Sequence, residues 1–222
     1  MKSKAKNKTG YRYTWQQFFM DLGRIILIPY YLILRMKLYD LSKNKYSAKL
    51  RGGALIISNH SCFCDPFFVG RAFWYRRMYF LAADVVKHNF FIGTLLKGMG
   101  CIFINRETYD LQAIKKVIST AKRGHTVAIF PEGTVHRDHA MQEIKNGALL
   151  IAIQAGVPLL PIYTQKKSRF LEQQITVVGE PLVIDKKMPS MAEIDQYSEE
   201  LLRRMQKCRE VYNELMEERK HA

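Results

Sequence analysis

The stretch LIISNHSCFCDPFF, from Leu55 to Phe68, sets a histidine and an aspartate five residues apart at the exit of an apolar run. The run ends at Ser58–Asn59, His60 sits where the chain leaves it, and Asp65 follows with Pro66 behind. An Asp-Pro pair makes a good helix start, with Asp65 at the N-cap and Pro66 at the first helical position. A tight turn would bring the Asp65 carboxylate back to the His60 ring. One ring nitrogen would then donate to Asp65 and leave the other as a general base. No serine in an elbow motif accompanies the pair, which points to direct attack by a bound alcohol. Taken alone, the two residues are better read as a capping aspartate beside a structural histidine.

Three further blocks change that reading: GMGCIFINRE from Gly98 to Glu107, AIFPEGT from Ala128 to Thr134, and GVPLLPIY from Gly156 to Tyr163. Together with NHSCFCD they resemble the four ordered blocks of the glycerolipid acyltransferase family, which includes the 1-acyl-sn-glycerol-3-phosphate (lysophosphatidic acid) acyltransferases. The resemblance runs from about Ala54 to Pro161 and takes in AADVVKHNFFIGTLLKGMG ahead of the second block. Each block is short, but four in order at suitable separations are highly specific.

The resemblance implies roles residue by residue. His60 and Asp65 match the family's catalytic H-x-x-x-x-D pair, in which the histidine activates the acceptor hydroxyl. Asn105 and Arg106 match the second block, whose arginine contacts the acceptor's phosphate. Glu132, Gly133 and Thr134 match the third, also assigned to the acceptor. Pro158 and Pro161 match the fourth, linked to the acyl-donor side and to shaping the site. The family's third block continues with arginine and serine, where Val135 and His136 stand here. One phosphate contact is therefore missing, with Arg137 or Lys145 as substitutes. The implied reaction moves a fatty acyl group from acyl-CoA or acyl carrier protein to the sn-2 hydroxyl of 1-acylglycerol-3-phosphate, giving phosphatidic acid. Val135 keeps open another lysophospholipid or glycerol 3-phosphate as acceptor. No metal or other cofactor is expected, because the thioester brings its own activation.

Elementary chemistry agrees with these assignments. An alcohol with a pKa far above 7 must lose its proton as it attacks a thioester, and an imidazole suits that task. The tetrahedral oxyanion needs preorganised donors, for which the backbone N–H groups after His60 are candidates. A phosphomonoester carries nearly two negative charges, and Arg106 offers it a planar two-pronged donor. Glu132 repels phosphate, so it is expected to orient Arg106 or to accept from the glycerol hydroxyl.

Other signals are weaker. His60, Cys62 and Cys64 have no second ligand cluster at zinc spacing, and His136 with His139 lacks a third ligand, so no metal site is expected. The two cysteines are read as filling the turn, and His125 as a turn residue after Gly124. Arg71, Arg76, Arg77, Lys115, Lys116, Lys122 and Arg123 read as solvated helix faces. Lys166, Lys167 and Arg169 cluster after the fourth block and could meet the phosphates of coenzyme A or an acidic carrier protein.

These residues need a scaffold, and the hydrophobic pattern supplies one. Short β-prone runs occur at 54–58, 78–82, 101–104, 127–130, 159–163 and 175–178, with helix-like stretches near 66–75, 85–97, 109–123 and 143–155. Such alternation predicts a single α/β domain with a central mixed, mostly parallel sheet flanked by helices. Ser190 and Glu193 form a capping-box pair. Beyond them, apolar residues recur every three or four positions from Ile194 to Leu215, predicting one long amphipathic helix packed on the domain.

The amino-terminal part is different in character. Residues 1–14 form a basic leader, 15–45 an amphipathic helical membrane-docking segment, and 46–222 the acyltransferase domain. Trp15, Phe18, Phe19, Leu22, Ile25 and Ile26 fill one helix side, with Gln17, Asp21 and Arg24 opposite. Pro29 is expected to kink or split this helix. The longest apolar run, Ile25 to Leu34, is ten residues, short of the ~20 that a bilayer span needs. Packing of the apolar side on the domain is the alternative to docking.

Of the 222 residues, 35 are Lys or Arg and 20 Asp or Glu, a formal charge of +15. Residues 1–52 contribute twelve basic and two acidic groups, which suggests an anionic partner, phospholipid or nucleic acid; the bilayer acceptor that the resemblance implies makes an anionic membrane surface the expected one. A cell-membrane protein bound peripherally or monotopically at the cytoplasmic face fits this charge. Four cysteines are too few for a disulfide framework at this length, which favours a reducing compartment. With 48% hydrophobic residues the chain is no disordered tail. Two further classes remain: a non-catalytic basic lipid-binding protein, against which the intact His60, Asp65, Arg106 and Glu132 argue, and a nucleic-acid binder, which has no recognition module and is not expected.

Overall fold

The computed structural model describes residues 14–33, 36–41, 52–62, 64–85, 90–105, 108, 110–131, 146–165, 174–185 and 188–220. In chain order the elements are α1 (Trp15–Ile33), β1 (Met36–Asp40), β2 (Ala54–Ser58), α2 (Asp65–Ala72), β3 (Met78–Ala83), α3 (Phe90–Gly98), β4 (Ile102–Ile104), α4 (Leu111–Lys122), β5 (Thr126–Ile129), α5 (Gly147–Ala155), β6 (Leu159–Thr164), β7 (Gln174–Val178) and α6 (Met191–Lys220). The strands form one seven-stranded sheet in the order β1-β7-β6-β2-β5-β3-β4, with every neighbouring pair parallel except β6 and β7. The expected mixed, mostly parallel sheet is therefore present.

β2, β5, β6 and β7 are buried along their whole length, as strands covered on both faces must be. Period-two alternation divides the core. Leu55 and Ile57, with Val127 and Leu159, pack under α4, α5 and α6 through Val117, Leu149, Leu201 and Met205. Ala54 and Ile56, with Leu160 and Ile162, pack on the other face against Val69, Ala72 and Phe73 of α2 and the residue after it. The Ser190–Glu193 box caps α6 as expected, the Ser190 amide donating to the Glu193 carboxylate at 2.7 Å. That helix lies on the domain through Ile194, Leu201, Met205, Cys208 and Tyr212.

The amino-terminal segment departs from expectation in two ways. Met36–Asp40 is not helical but is an edge strand, parallel to β7 with Met36 opposite Gln174. Pairing with a strand over a hundred residues away overrides the local pattern. Nor does Pro29 split α1, which runs on from Trp15 to Ile33; the ring removes only the one N–H that would bond four residues back.

The orientation of α1 is informative. Gln17 and Met20, only 6% and 5% exposed, face the domain, and Asp21 on the same side binds Arg77. Trp15 (78% exposed), Phe18, Phe19, Leu22, Ile25 and Ile26 face outward. The alternative in which the apolar side packs on the core is thereby overturned. Among the described residues, no helix is long and apolar enough to cross a membrane.

Candidate active site

His60 leaves the carboxyl end of β2, a central strand. From β2 the chain passes to β3 and β4 on one side and later to β6 on the other. Sites in open α/β sheets form at the carboxyl ends of strands where the order reverses in this way. Asn59 fastens the exit: its side chain donates to the Thr164 carbonyl at 2.7 Å and accepts from the Thr164 amide at 3.0 Å. The end of β2 is thus pinned to the end of β6 immediately before His60.

The chain then turns, and Asp65 comes back. His60 Nδ1 lies 3.0 Å from Asp65 Oδ2, and the carboxylate is fully buried. The amides of Ser61 and Cys62 donate to the same oxygen at 2.6 and 2.7 Å. The Ser61 hydroxyl and the Cys62 thiol reach Oδ1, each at 3.2 Å. An ionised carboxylate with this many donors is acceptor-only and well satisfied. It imposes the tautomer in which Nδ1 carries the hydrogen and Nε2 keeps its lone pair.

Two expectations change here. Asp65 is the first residue of α2, not its N-cap; Cys64 holds that position and makes no side-chain cap bond. A carboxylate committed to the preceding turn cannot also cap the helix. The amides of Ser61 and Cys62 were candidates for the oxyanion and are bound to Asp65 instead.

Cys62 belongs to this network as a donor. Burial, then the Asp65 carboxylate, pushes its thiol up to about 12, so it is a neutral S–H near pH 7 and no thiolate nucleophile. Among the described residues, no group of three His, Cys, Asp or Glu is placed to hold a metal ion.

Sequence reasoning missed three contributors. Phe130, just after β5, lies against the His60 ring with centroids 4.6 Å apart and planes at 30°. The β2–β5 register, Ile57 opposite Ile129, brings the next residues of both strands together. Its place directly before Pro131 and Glu132 in the third block was the available signal. Asn59 is the second, invisible without its partner in β6. Tyr30 of α1 is the third: its ring meets Phe67 at 6.3 Å. That contact places α1 beside the turn after His60, and burial, then Cys64 and Cys62, raises the Tyr30 hydroxyl pKa.

Of the other expected residues, Asn105 follows β4 at the same carboxyl edge of the sheet. Its side chain accepts from the Thr108 amide at 3.2 Å, and its own amide donates to Asp110 at 3.3 Å. Asn105 therefore ties the end of β4 to Asp110 and Thr108 ahead of α4. Pro158 precedes β6 and accepts from the Leu55 amide at 2.9 Å, at the sheet edge opposite His60. Pro161 lies inside β6, where its carbonyl accepts from the Gly179 amide at 2.9 Å. Arg106, Glu132, Gly133 and Thr134 lie outside the described residues, as do Val135, His136, Arg137, His139, Lys145, Lys166, Lys167 and Arg169.

Known proteins are similar to this chain in sequence and fold. The chain is 30% identical over 144 residues to a 1-acyl-sn-glycerol-3-phosphate acyltransferase of Bacillus subtilis (strain 168), a match covering 63% of this chain and 71% of that protein. A protein of the same name from Borreliella burgdorferi is 28% identical over 134 residues, 56% of this chain and half of the relative. The crystal structure of the 1-acyl-sn-glycerophosphate (LPA) acyltransferase PlsC from Thermotoga maritima has the same fold. Its TM-score is 0.63 at 19% identity, over 89% of this chain and 81% of that one. The family model described as Acyltransferase matches residues 40–165, and with that match over more than half its length the chain belongs to the acyltransferase family.

Proposed function

We propose that this protein transfers a fatty acyl group from acyl-CoA or acyl carrier protein to the sn-2 hydroxyl of 1-acylglycerol-3-phosphate, giving phosphatidic acid. The His60–Asp65 pair carries the reading: a buried carboxylate 3.0 Å from Nδ1 leaves Nε2 as the base. Nε2 takes the hydroxyl proton as the alkoxide attacks the thioester carbonyl. Asp65 stabilises the imidazolium without taking its proton. The tetrahedral intermediate expels the thiolate, which recovers that proton from His60. No cofactor enters the sequence. Arg106 binds the acceptor phosphate, Asn105 holds the end of β4 just before it, and Glu132, Gly133 and Thr134 complete the acceptor side. Pro158 and Pro161 act through the shape of β6, and Lys166, Lys167 and Arg169 meet the donor's phosphates.

The acceptor is a bilayer lipid, and the outward apolar side of α1 gives the enzyme its approach. Trp15, Ile25, Ile26 and Leu32 enter the interface of a cytoplasmic membrane face, with the basic leader on anionic headgroups. Val135 and His136, where the family carries arginine and serine, favour a second reading in which the acceptor is another lysophospholipid or glycerol 3-phosphate.

Incubation with labelled acyl thioester and lysophosphatidic acid in liposomes, beside His60→Ala, tests the reading. Labelled phosphatidic acid from wild type alone is the expected result. Product with only a different acceptor would establish the second reading. No product with any acceptor or donor would leave a lipid-binding protein.

A further inference from the structure

A second concentration of charge lies at the edge of the sheet opposite His60. The amino ends of β2, β5 and β3 lie side by side, with Ala54 and Met78 both opposite Thr126. The segments entering these strands bring Gly52, Gly124, His125, Arg76 and Arg77 together. A cleft of about 360 Å³ there is lined by Arg24, Tyr75, Arg76, Arg77, Gly124 and His125. At ~3.3 Å per residue along β2, cleft and catalytic turn are on the order of 15 Å apart in the strand direction.

Of the cleft's cations, Arg76 is bonded to backbone carbonyls, whereas Arg77 and Arg24 share the Asp21 carboxylate. Arg76 donates to the carbonyls of Gly52 and Gly124, the latter at 3.3 Å. Arg24 donates to the Trp74 carbonyl. The carboxylate of Asp21 takes two bonds from Arg77, at 2.9 and 2.7 Å, and meets Arg24 at 3.4 Å. Three guanidinium groups thus line the cleft, and one carboxylate, bound to Arg77 and Arg24, offsets part of their charge. The resulting field acts on His125, whose pKa is pushed down by burial and by Arg123, Arg77 and Arg76; its ring rests on Tyr79 at 5.2 Å. The net positive charge of three guanidinium groups against one carboxylate suits a phosphate. The surroundings are apolar and outward-facing: Trp74 and Ile25 are 58% and 61% exposed, and Tyr75 joins them. Aromatic and aliphatic surface next to an anion cradle matches a lipid, whose phosphate and chains meet at that depth.

We propose that this cleft binds the phosphate group of an anionic phospholipid, a second lipid site distinct from the acceptor site at the catalytic end. The inference rests on the proposed function only for the presence of α1 at a bilayer. A bound phosphate would set α1 against the loop between α2 and β3 and so orient the catalytic turn toward its membrane substrate.

The His125 ring reports on the cleft. Its pKa is followed by NMR of the full-length protein in maltoside micelles, with the resonance identified by its loss in His125→Gln. The groups facing it are Arg24 and Asp21 from α1, Arg76 and Arg77 before β3, Tyr79 in β3, and Arg123 after α4. Dioleoylphosphatidylglycerol should raise the pKa by about half a unit to one unit, because an added anion offsets the arginines. An equal mole fraction of dioleoylphosphatidylcholine, or inorganic phosphate at equal ionic strength, should leave it within about 0.2 unit, and Arg24→Gln should at least halve the rise. No response to phosphatidylglycerol overturns the proposal, and so does an equal response to phosphatidylcholine. An equal response to inorganic phosphate also overturns it, since the cleft would then be a free-anion site. The wild-type titration decides even if Arg24→Gln fails to fold. Acyl transfer by the same sample is measured in parallel, so an active enzyme with a silent His125 refutes the cleft and leaves the proposed function standing.

Discussion

Phe130 and His60 lie against each other with ring centroids 4.6 Å apart, at the carboxyl ends of two neighbouring parallel strands. With Nδ1 bound to Asp65, the imidazole is held on one edge and one face. Replacing Phe130 by leucine keeps an apolar residue there but removes the aromatic contact, worth ~0.5–1.5 kcal/mol. A fall in kcat of roughly 2- to 10-fold, with KM nearly unchanged, is the expected outcome. Phe130→Ala should in addition lower stability by ~3–5 kcal/mol. Wild-type kcat in Phe130→Leu would show that the stack does no positioning.

Asp65→Asn exchanges a carboxylate oxygen for an NH2 among donors that already point at it. Turnover should fall by ~10²–10⁴, since His60, the proposed base, loses its oriented tautomer. Each donor left without a partner costs ~1–3 kcal/mol, visible in a denaturant midpoint. The same substitution should release Cys62, whose thiol is held at about 12. In wild type near pH 7.5, its alkylation should run roughly 10³-fold slower than that of a free thiol of pKa ~8.5. Faster labelling of the Cys62 peptide in Asp65→Asn, read by mass spectrometry, checks the coupling.

Asp110 caps α4 by accepting from the Ala113 amide at 2.9 Å, and its other oxygen takes the Asn105 amide. These bonds lower its carboxyl pKa. A lowered folded pKa stabilises above the unfolded value of about 3.9, and the contribution fades as pH drops through the folded value. Asp110→Ala should melt roughly 2–4 °C below wild type at neutral pH. That gap should narrow below pH 3. Asn105, tied to Asp110, directly precedes the proposed phosphate ligand Arg106 in sequence, so the acceptor KM should rise more than kcat falls; unchanged KM would detach Asp110 from the acceptor side.

Gly53 delivers the chain into β2. A Cβ there would sit 2.0 Å from the Ala121 carbonyl oxygen and 2.9 Å from its carbon, backbone atoms that cannot swing aside. Gly53→Ala should cost ~3 kcal/mol or more, read as loss of soluble protein or a large drop in melting temperature. Gly147→Ala meets nothing within 4 Å and should be neutral or slightly stabilising. Equal melting of the two variants would contradict the close approach of α4 to β2.

Local physics alone determined much of this protein. The alternation of β and α runs, the capping box at Ser190 and the tight return of Asp65 to His60 involve residues close in sequence, and all were legible there. Residue types also showed which side of α1 is apolar. Only the tertiary structure decided which side faces out, because periodicity defines a stripe but not its partner; Asp21 meeting Arg77 and Gln17 buried in place of Trp15 settle it. Met36–Asp40 became a strand by pairing with residues 174–178, a choice no local window contains. Phe130 reached His60, and Asn59 reached Thr164, through sheet register across 70 and 105 positions. The chemistry lies in short motifs that sequence spacing preserves, whereas the groups that hold it in place come from strands that meet only when the sheet is assembled.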